Sequence, residues 1–330
     1  MHRLSLILAA VLLTAAPASA QEVRIARQFS MGYLQFNVME HEKLLEKHAA
    51  ALGLKDVKIA WSIFNGPNAM NDALISGSVD IVAGGVPGLV TLWARTKGTA
   101  NEVKGISALS SQPIYLNTRA DHIKSIADLK ESDRVAVPAV KVSLQAVLLQ
   151  MAAAKLHGPA NYGKYDALTV SMSPPDATIA LLSGSGEVTS VFSVPPFQQQ
   201  QLEKPGVRTI LNSFDVMDGP ATFTVAWTSA RFRDKNPVLY KALIAALKEA
   251  TGIVDKDRAK AAGYWIEDVK SKLPPDKVTA VISGPQVRWT MTPEHTMNFA
   301  AFMASVGSIK EAPKSWKDMF FPEVHDLDGS

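Results

Sequence analysis

The chain has 330 residues, with 34 Lys and Arg against 31 Asp and Glu, and it contains no cysteine. A net charge of +3 without any block of like charge gives a nucleic acid no electrostatic footing. The missing cysteine excludes disulfides, cysteine–metal sites, thiol nucleophiles and the cysteine of a lipoprotein anchor.

Arg3, an apolar run over residues 4–13 and the triplet Ala18-Ser19-Ala20 form a secretory signal peptide over residues 1–20. The mature chain then begins near Gln21. The apolar run is too short to span a membrane, and no later stretch reaches about 18 apolar residues. A protein released into the periplasm without a membrane anchor is expected. Residues 23–26 predict a first strand, with 27–33 as the loop at its carboxyl end. Asn37 and Glu40 have capping-box spacing, which predicts one helix running to Gly53 and burying Leu44, Leu45, Ala49 and Leu52. Residues 57–62 predict a second strand.

The most informative stretch is 65–88. Asn65 can cap a helix whose first turn tolerates Pro67, and Gly77 can end it in a left-handed conformation. Residues 79–83 read as a short buried strand. Gly84 and Gly85 permit close backbone approach, and Pro87 opens the next helix. Two helix amino-termini therefore open on one sheet edge, where N–H groups and helix dipoles favour an anion. A helix carrying Trp93 follows, then strands over 103–109 and 114–116.

The plan repeats downstream. Ser125 starts a short helical turn, 134–137 is a strand, and Ser143 caps a helix over 144–157. Residues 168–172 form a strand, and Pro175 with Asp176 opens a helix. Here Ala180-Leu181-Leu182-Ser183-Gly184-Ser185 echoes Ala73-Leu74-Ile75-Ser76-Gly77-Ser78. Two copies about a hundred residues apart are too few for a solenoid and predict two similar lobes. Residues 198–201, all glutamine, read as one exposed helical turn. Residues 222–227 carry the chain back, 237–254 and 257–268 are helical, and Trp316, Phe320 and Phe321 pin the tail. The fold class is therefore α/β, with a mostly parallel sheet flanked by helices in each lobe and a two-strand hinge. One lobe takes residues 21–113 plus 226–330, the other 114–225. Ligands bind beyond the carboxyl ends of such strands, and the lobes close around them.

The candidate binding residues follow from that edge. They are Gln28, Ser30 and Gly32 of the first loop, Asn65 and Gly66, the backbone amides of Gly85 and Val86, and the Ser143 hydroxyl. Pro196 and Phe197 supply an apolar wall, and Trp61 and Phe192 stand where they could stack on a flat ligand. Each residue reads equally as a cap or turn, but the set shares one edge. Arg27 could meet an acidic ligand, although a surface salt bridge is its commoner fate. No catalytic, metal or cofactor site is expected. Residues 158–165 mimic a phosphate loop, but Tyr165 replaces the magnesium-binding hydroxyl and the segment follows a helix. Gly184 and Gly186 lack the third glycine of a dinucleotide motif, and no Gly-x-Ser-x-Gly elbow occurs. His41 and His48, seven residues apart on one helix, would stand about 10 Å apart, too far to share an ion. Packing or inter-lobe hydrogen bonding is their expected role. Asp255 and Asp257 do not make a calcium loop.

Three groups of segments carry a family resemblance. They are Phe64-Asn65-Gly66-Pro67 through Asp80 to Gly84-Gly85-Val86-Pro87; Ile123 through Lys130 with Val135-Ala136-Val137-Pro138; and Pro175-Asp176 with Ala180 through Gly184. In that order they resemble the periplasmic substrate-binding proteins of ABC importers, in the nitrate/sulfonate/taurine group related to thiamine-precursor-binding proteins. The resemblance covers nearly the whole mature chain. It implies a type II periplasmic binding protein acting as a monomer, with an ABC permease and ATPase as partners. It also implies a small ligand drawn from sulfonates, oxyanions, aromatic acids or pyrimidines. The sequence departs from two patterns of the group. Pyrimidine-forming relatives carry a cysteine-rich motif that is missing here, and sulfonate binders carry Asp where Glu187 follows Gly186. Capture for import stands beside an extracytoplasmic ligand-sensing module, which would use the same clamshell. A periplasmic hydrolase would need a nucleophile–base pair that the sequence does not offer. Helix starts and aromatic residues favour an aromatic or sulfonated acid over nitrate.

Overall fold

The computed structural model describes residues 22–184 and 186–330, so the expected signal peptide over 1–20 and Ser185 of the repeat lie outside the described residues. Strand β1 (Glu22–Gln28) runs into a single 3-10 turn, Met31–Tyr33, whose cap is Ser30: its hydroxyl accepts the Gly32 N–H at 2.9 Å. Helices α1 (Leu34–His41) and α2 (Leu44–Ala51) are separate, because Lys43 between them is left-handed at φ 49°. The capping box expected at Asn37 does not form. Asn37 lies buried inside α1 and donates its amide to Asp268 at 2.7 Å, and Leu52 of the predicted apolar stripe is exposed.

Next come β2 (Lys58–Phe64), α3 (Pro67–Ser76), β3 (Ile81–Gly85) and α4 (Val86–Thr96). Gly66, not Asn65, is the cap of α3, with Pro67 in the first turn where its missing N–H costs nothing. Gly77 ends α3 at φ 76°, the left-handed geometry that glycine adopts freely. Strands β4 (Val103–Ser111) and β5 (Tyr115–Thr118) lead to the second lobe. That lobe holds β6 (Arg134–Val137), α5 (Leu144–His157), β7 (Thr169–Ser171), α6 (Pro174–Ser183), β8 (Val188–Phe192), α7 (Phe197–Leu202), β9 (Arg208–Asn212) and α8 (Ser213–Met217). Strand β10 (Thr222–Ser229) returns the chain. It is followed by α9 (Ala230–Lys235), α10 (Pro237–Lys256), α11 (Arg258–Val269), α12 (Pro275–Ile282), β11 (Arg288–Trp289) and α13 (Thr296–Ser305).

These strands form two sheets, ordered β11-β4-β10-β3-β1-β2 and β7-β6-β8-β5-β9. Each is parallel over three neighbouring strands (β2, β1 and β3; β7, β6 and β8) and antiparallel over the rest. Strand β10 pairs with β4 from Thr222 onward, so the chain has joined the six-stranded sheet by that residue. The parallel strands position the site. Their carboxyl ends, at Gln28 and Gly85 in one lobe and Val137 and Phe192 in the other, lead into loops that share one crevice.

Helices α1, α2, α10, α11 and α12 cover one face of the larger sheet around Phe36, Leu44, Leu243 and Trp265. On the other face α4, which carries Trp93, packs on β10 with its Trp227 and against α13, and the Trp93 indole donates to the Asp318 carbonyl at 3.0 Å. Trp316, Phe320 and Phe321 are buried, and Phe320 bridges to Gly105, which holds the tail as expected. The same apolar cluster continues through α5 into the second lobe.

Helix α7 corrects the sequence reading: it is not an exposed turn. Gln198 and Gln201 are buried, Gln198 pairing with the Tyr115 N–H (3.1 Å) and the Pro113 carbonyl (3.2 Å). Elsewhere in this lobe Asp133, 2 % exposed, accepts the Lys130 N–H at 2.8 Å and faces His122 at 3.0 Å. Burial pushes its carboxyl up, but these donors outweigh burial and hold it below the usual carboxylate range. A depressed carboxyl stabilises the fold above its unfolded pKa, about 3.9, and that contribution is lost as pH falls through the folded value. Asp133→Ala should therefore cost about 2 kcal/mol at pH 7. In urea melts its deficit against the wild type should shrink as the pH drops below about 4.

Candidate functional site

The lobes meet directly. The Met31 N–H and the Ser30 hydroxyl of the first lobe both donate to the Pro195 carbonyl of the second, at 2.9 and 3.0 Å. Lys277 of α12 pairs with Glu203, just beyond α7, at 2.9 Å. Glycine is required where backbones approach. A Cβ on Gly66 would lie 3.0 Å from the Pro138 carbonyl oxygen, and one on Gly85 would lie 2.6 Å from Leu144 Cβ. This is a closed clamshell.

Between the lobes lies a narrow crevice, part of it open to solvent. Four helices begin on it: α3 through Pro67, α4 through Gly85 and Gly88, α5 through Ser143, Leu144 and Gln145, and α6 through Pro174. The caps differ between lobes. Ser143 and Ser173 fill the first turns of α5 and α6 with their hydroxyls, whereas Gly66 and Gly85 leave those of α3 and α4 without a side-chain cap. Phe29, Val142, Val194 and Phe223 add apolar surface. Among the described residues that line the crevice, none is acidic or basic.

Of the predicted residues, Gln28, Ser30, Gly85 and Ser143 line this crevice. Gln28 brings a buried side-chain N–H with no protein partner. The two hydroxyls are already spent: Ser30 donates to Pro195, and Ser143 donates to the Ala139 carbonyl at 2.7 Å while accepting the Ala146 N–H. Gly66 sits beside the crevice as the cap of α3, and Val86 is core, adding at most its backbone. Gly32 lies behind Tyr33, its carbonyl taken by Ser110 (3.2 Å) and Thr224 (2.6 Å), and Asn65 is exposed. The aromatic pair falls elsewhere. Trp61 lies mid-strand, packed on Phe36 at 5.5 Å between ring centres, and Phe192 is 1 % exposed in the core. Pro196 and Phe197 begin α7 and do not line the crevice, where Val194 stands instead.

Arg27 forms an ion pair, but a buried one: it reaches Glu40 at 3.2 Å and Asp268 at 3.9 Å beneath Trp61. Burial raises the Glu40 carboxyl above its ordinary range, with Arg27 opposing. His41 meets Asp268 and stacks on Tyr264 at 4.6 Å, while His48 meets Glu249 at 2.7 Å. Both histidines therefore tie α1 and α2 to α10 and α11 within one lobe, and neither bridges the lobes. Among the described residues no group of three His, Cys, Asp or Glu is placed to hold a metal ion.

Two contributors escaped sequence reading. Tyr33, 3 % exposed, and Gln145, 5 % exposed, come from opposite lobes, and neither side chain has a protein hydrogen-bond partner. Burial holds the Tyr33 phenol protonated, far above its usual range, despite nearby Arg27, so it is a donor at any physiological pH. Gln145 carried a signal, since it lies two residues after the cap Ser143 that sequence did identify.

Residues 16–265 match the model of the NMT1-like family. The chain belongs to that family. No curated protein matches it. Among solved structures the family member is similar to the alkanesulfonate-binding protein SsuA from Xanthomonas axonopodis pv. citri bound to MOPS, at 20% identity and TM-score 0.69, over 89% of this chain and 94% of that one. It is also similar to the periplasmic nitrate-binding protein NrtA from Synechocystis PCC 6803, at 14% identity and TM-score 0.70, over 94% and 86%. A Candida albicans protein described as having the generic periplasmic binding protein fold aligns at 13% identity and TM-score 0.67, over 88% and 92%. At such identities the likeness is one of fold, and the fold is that of a two-lobed periplasmic binding protein.

Proposed function

We propose that this protein is the solute-binding component of an ABC importer, a monomer of the periplasm that closes two lobes over a small anion and presents it to a permease and its ATPase. The observation that carries this reading is the meeting of four helix amino-termini, two from each lobe, on one crevice. Each contributes a partial positive charge, and α3, α4 and α5 add first-turn N–H donors, whereas α6 opens on Pro174 and Pro175 and spends its Asp176 N–H on Ser173. An anion is thus held without a formal counter-charge. Closure follows because the anion contacts donors from both lobes only when they meet, and a ligand shifts a conformational equilibrium by its differential affinity. Membership of the NMT1-like family supports the reading. So do the alkanesulfonate-binding and nitrate-binding proteins that share the fold. Among the described residues no helix is long and apolar enough to cross a membrane, which accords with a partner that supplies the membrane passage. The assigned role is binding without chemistry.

The test is a thermal-shift screen of residues 21–330 against sulfonates, carboxylates and nitrate, followed by small-angle scattering with any hit. A ligand at a hundred times its dissociation constant should add about 2.7 kcal/mol, several degrees for a chain of this size. The free protein should be more expanded and compact on binding. A screen with no stabilising anion, or a hit with no compaction, would overturn the reading.

A further inference from the structure

The crevice has an unusual electrostatic composition for a site that captures charge. Helix starts supply positive potential from both lobes, yet no side chain lining the crevice is acidic or basic among the described residues. The first turns of α3, α4 and α5 contain no acid either. That of α6 has Asp176, whose carboxylate is held by the Ser173 hydroxyl at 2.6 Å. The polar side chains left over for a ligand are neutral: Tyr33 and Gln145, buried and unpartnered, and the buried N–H of Gln28. The remaining wall is apolar, with Phe29, Val142, Val194 and Phe223.

We propose that the ligand is an organic monoanion with an uncharged, largely apolar body, gripped from opposite lobes by the neutral pair Tyr33 and Gln145. This rests on the anion-binding reading above and narrows it. The acidic head belongs at the uncapped starts of α3 and α4, where Gly66 and Gly85 leave first-turn N–H groups available. Tyr33 stands on the same side and donates its phenolic hydrogen. Gln145 closes from α5, and its amide both donates and accepts. The exclusion follows from desolvation. An ammonium group carried into this crevice would find helix-start potential of its own sign and no carboxylate, and a buried charge without a partner is strongly disfavoured. Zwitterions are therefore rejected. A bare inorganic anion is disfavoured for the opposite reason, since it leaves the apolar wall without contact on closure.

Matched pairs read this directly. Affinities are measured by calorimetry for propane-1-sulfonate against 3-aminopropane-1-sulfonate, for 3-phenylpropionate against phenylalanine, and for nitrate alone. At least one amine-free member should bind, its amine counterpart should bind at least tenfold more weakly, and nitrate should not register. Gln145→Glu then places a carboxylate in the crevice. At the second residue of α5 the helix dipole favours an acid and offsets part of the cost of burying it, so the variant should remain folded, with a cooperative thermal transition. It should lose at least tenfold in affinity for the monoanion and lose less, or gain, for the amine. Equal or tighter binding of the amine by the wild type would overturn the proposal while leaving anion capture standing, as would binding of nitrate alone. Unchanged monoanion affinity in a folded Gln145→Glu would remove Gln145 from the ligand and overturn it too. Failure of every anion to bind would instead sink the anion-binding reading beneath it.

Discussion

Gly85→Ala should lower ligand affinity about a hundredfold, roughly 2.7 kcal/mol, while leaving the protein folded and as stable as the wild type. The backbone at Gly85 has φ −71° and ψ 151°, ordinary extended values that alanine adopts without strain. The obstacle is in the other lobe. The new Cβ would lie 2.6 Å from Leu144 Cβ, a methylene fixed to the first turn of α5, which cannot rotate away. Relief therefore comes from holding the lobes apart, and closure is the step that brings Gln145 to the ligand. Scattering with saturating ligand should show the variant staying expanded. The double variant Gly85→Ala, Leu144→Gly removes the opposing atom and should recover much of the loss, because coupling between touching residues is what a double-mutant cycle reports. Wild-type affinity and compaction in Gly85→Ala would show that the bound form does not bring these backbones together.

How much of this was legible beforehand depends on the distance over which each feature is determined. Ser143 and the helix Leu144–His157 behind it came out at their observed bounds, because a cap and a run rich in Leu, Ala and Met are local signals. The paired helices α3 and α6, each ending at a left-handed glycine, were legible from the repeated Ala-Leu-x-Ser-Gly string. The strand edge that carries the site followed from the alternation of strand and helix. What failed was the direction of side chains whose partners are remote. Asn37 has capping-box spacing to Glu40, but Asp268, 231 residues away, claims its amide. Trp61 and Phe192 have the aromatic character of a ligand platform, but the same character fills a core, and Phe36 and the second-lobe strands decide between the two. Ser30 was placed in the crevice correctly, yet its hydroxyl serves the contact between lobes. Tyr33 was passed over because nothing local distinguishes a buried unpaired polar group from an exposed one, and Gln145, although it lies just after the cap Ser143, has no local mark of the direction its side chain takes.

Gln201→Ala should be the costliest of the polar substitutions, destabilising the protein by about 3 kcal/mol. Read as part of a four-glutamine run, it would belong on an exposed turn, where substitutions cost at most about 0.5 kcal/mol. In the structure its side chain is inaccessible and makes three hydrogen bonds: Asn117 donates to Oε1 at 3.0 Å, and Nε2 donates to Thr178 and Ser193 at 2.9 and 3.0 Å. These tie α7 at once to β5, to α6 and to the loop after β8. Truncation leaves the Ser193 hydroxyl without its donor and opens a cavity in a close-packed region. At 2–4 °C per kcal/mol the melting temperature should fall by about 6–12 °C. Gln200→Ala on the same helix makes the control and should stay within about 0.5 kcal/mol. Gln201→Leu separates the two components: it refills most of the volume but pairs with none of the three polar groups. A loss close to that of alanine therefore assigns the cost to hydrogen bonds, and near-complete recovery assigns it to packing. Equal, small effects at 200 and 201 would return α7 to the surface and leave its three hydrogen bonds without energetic weight.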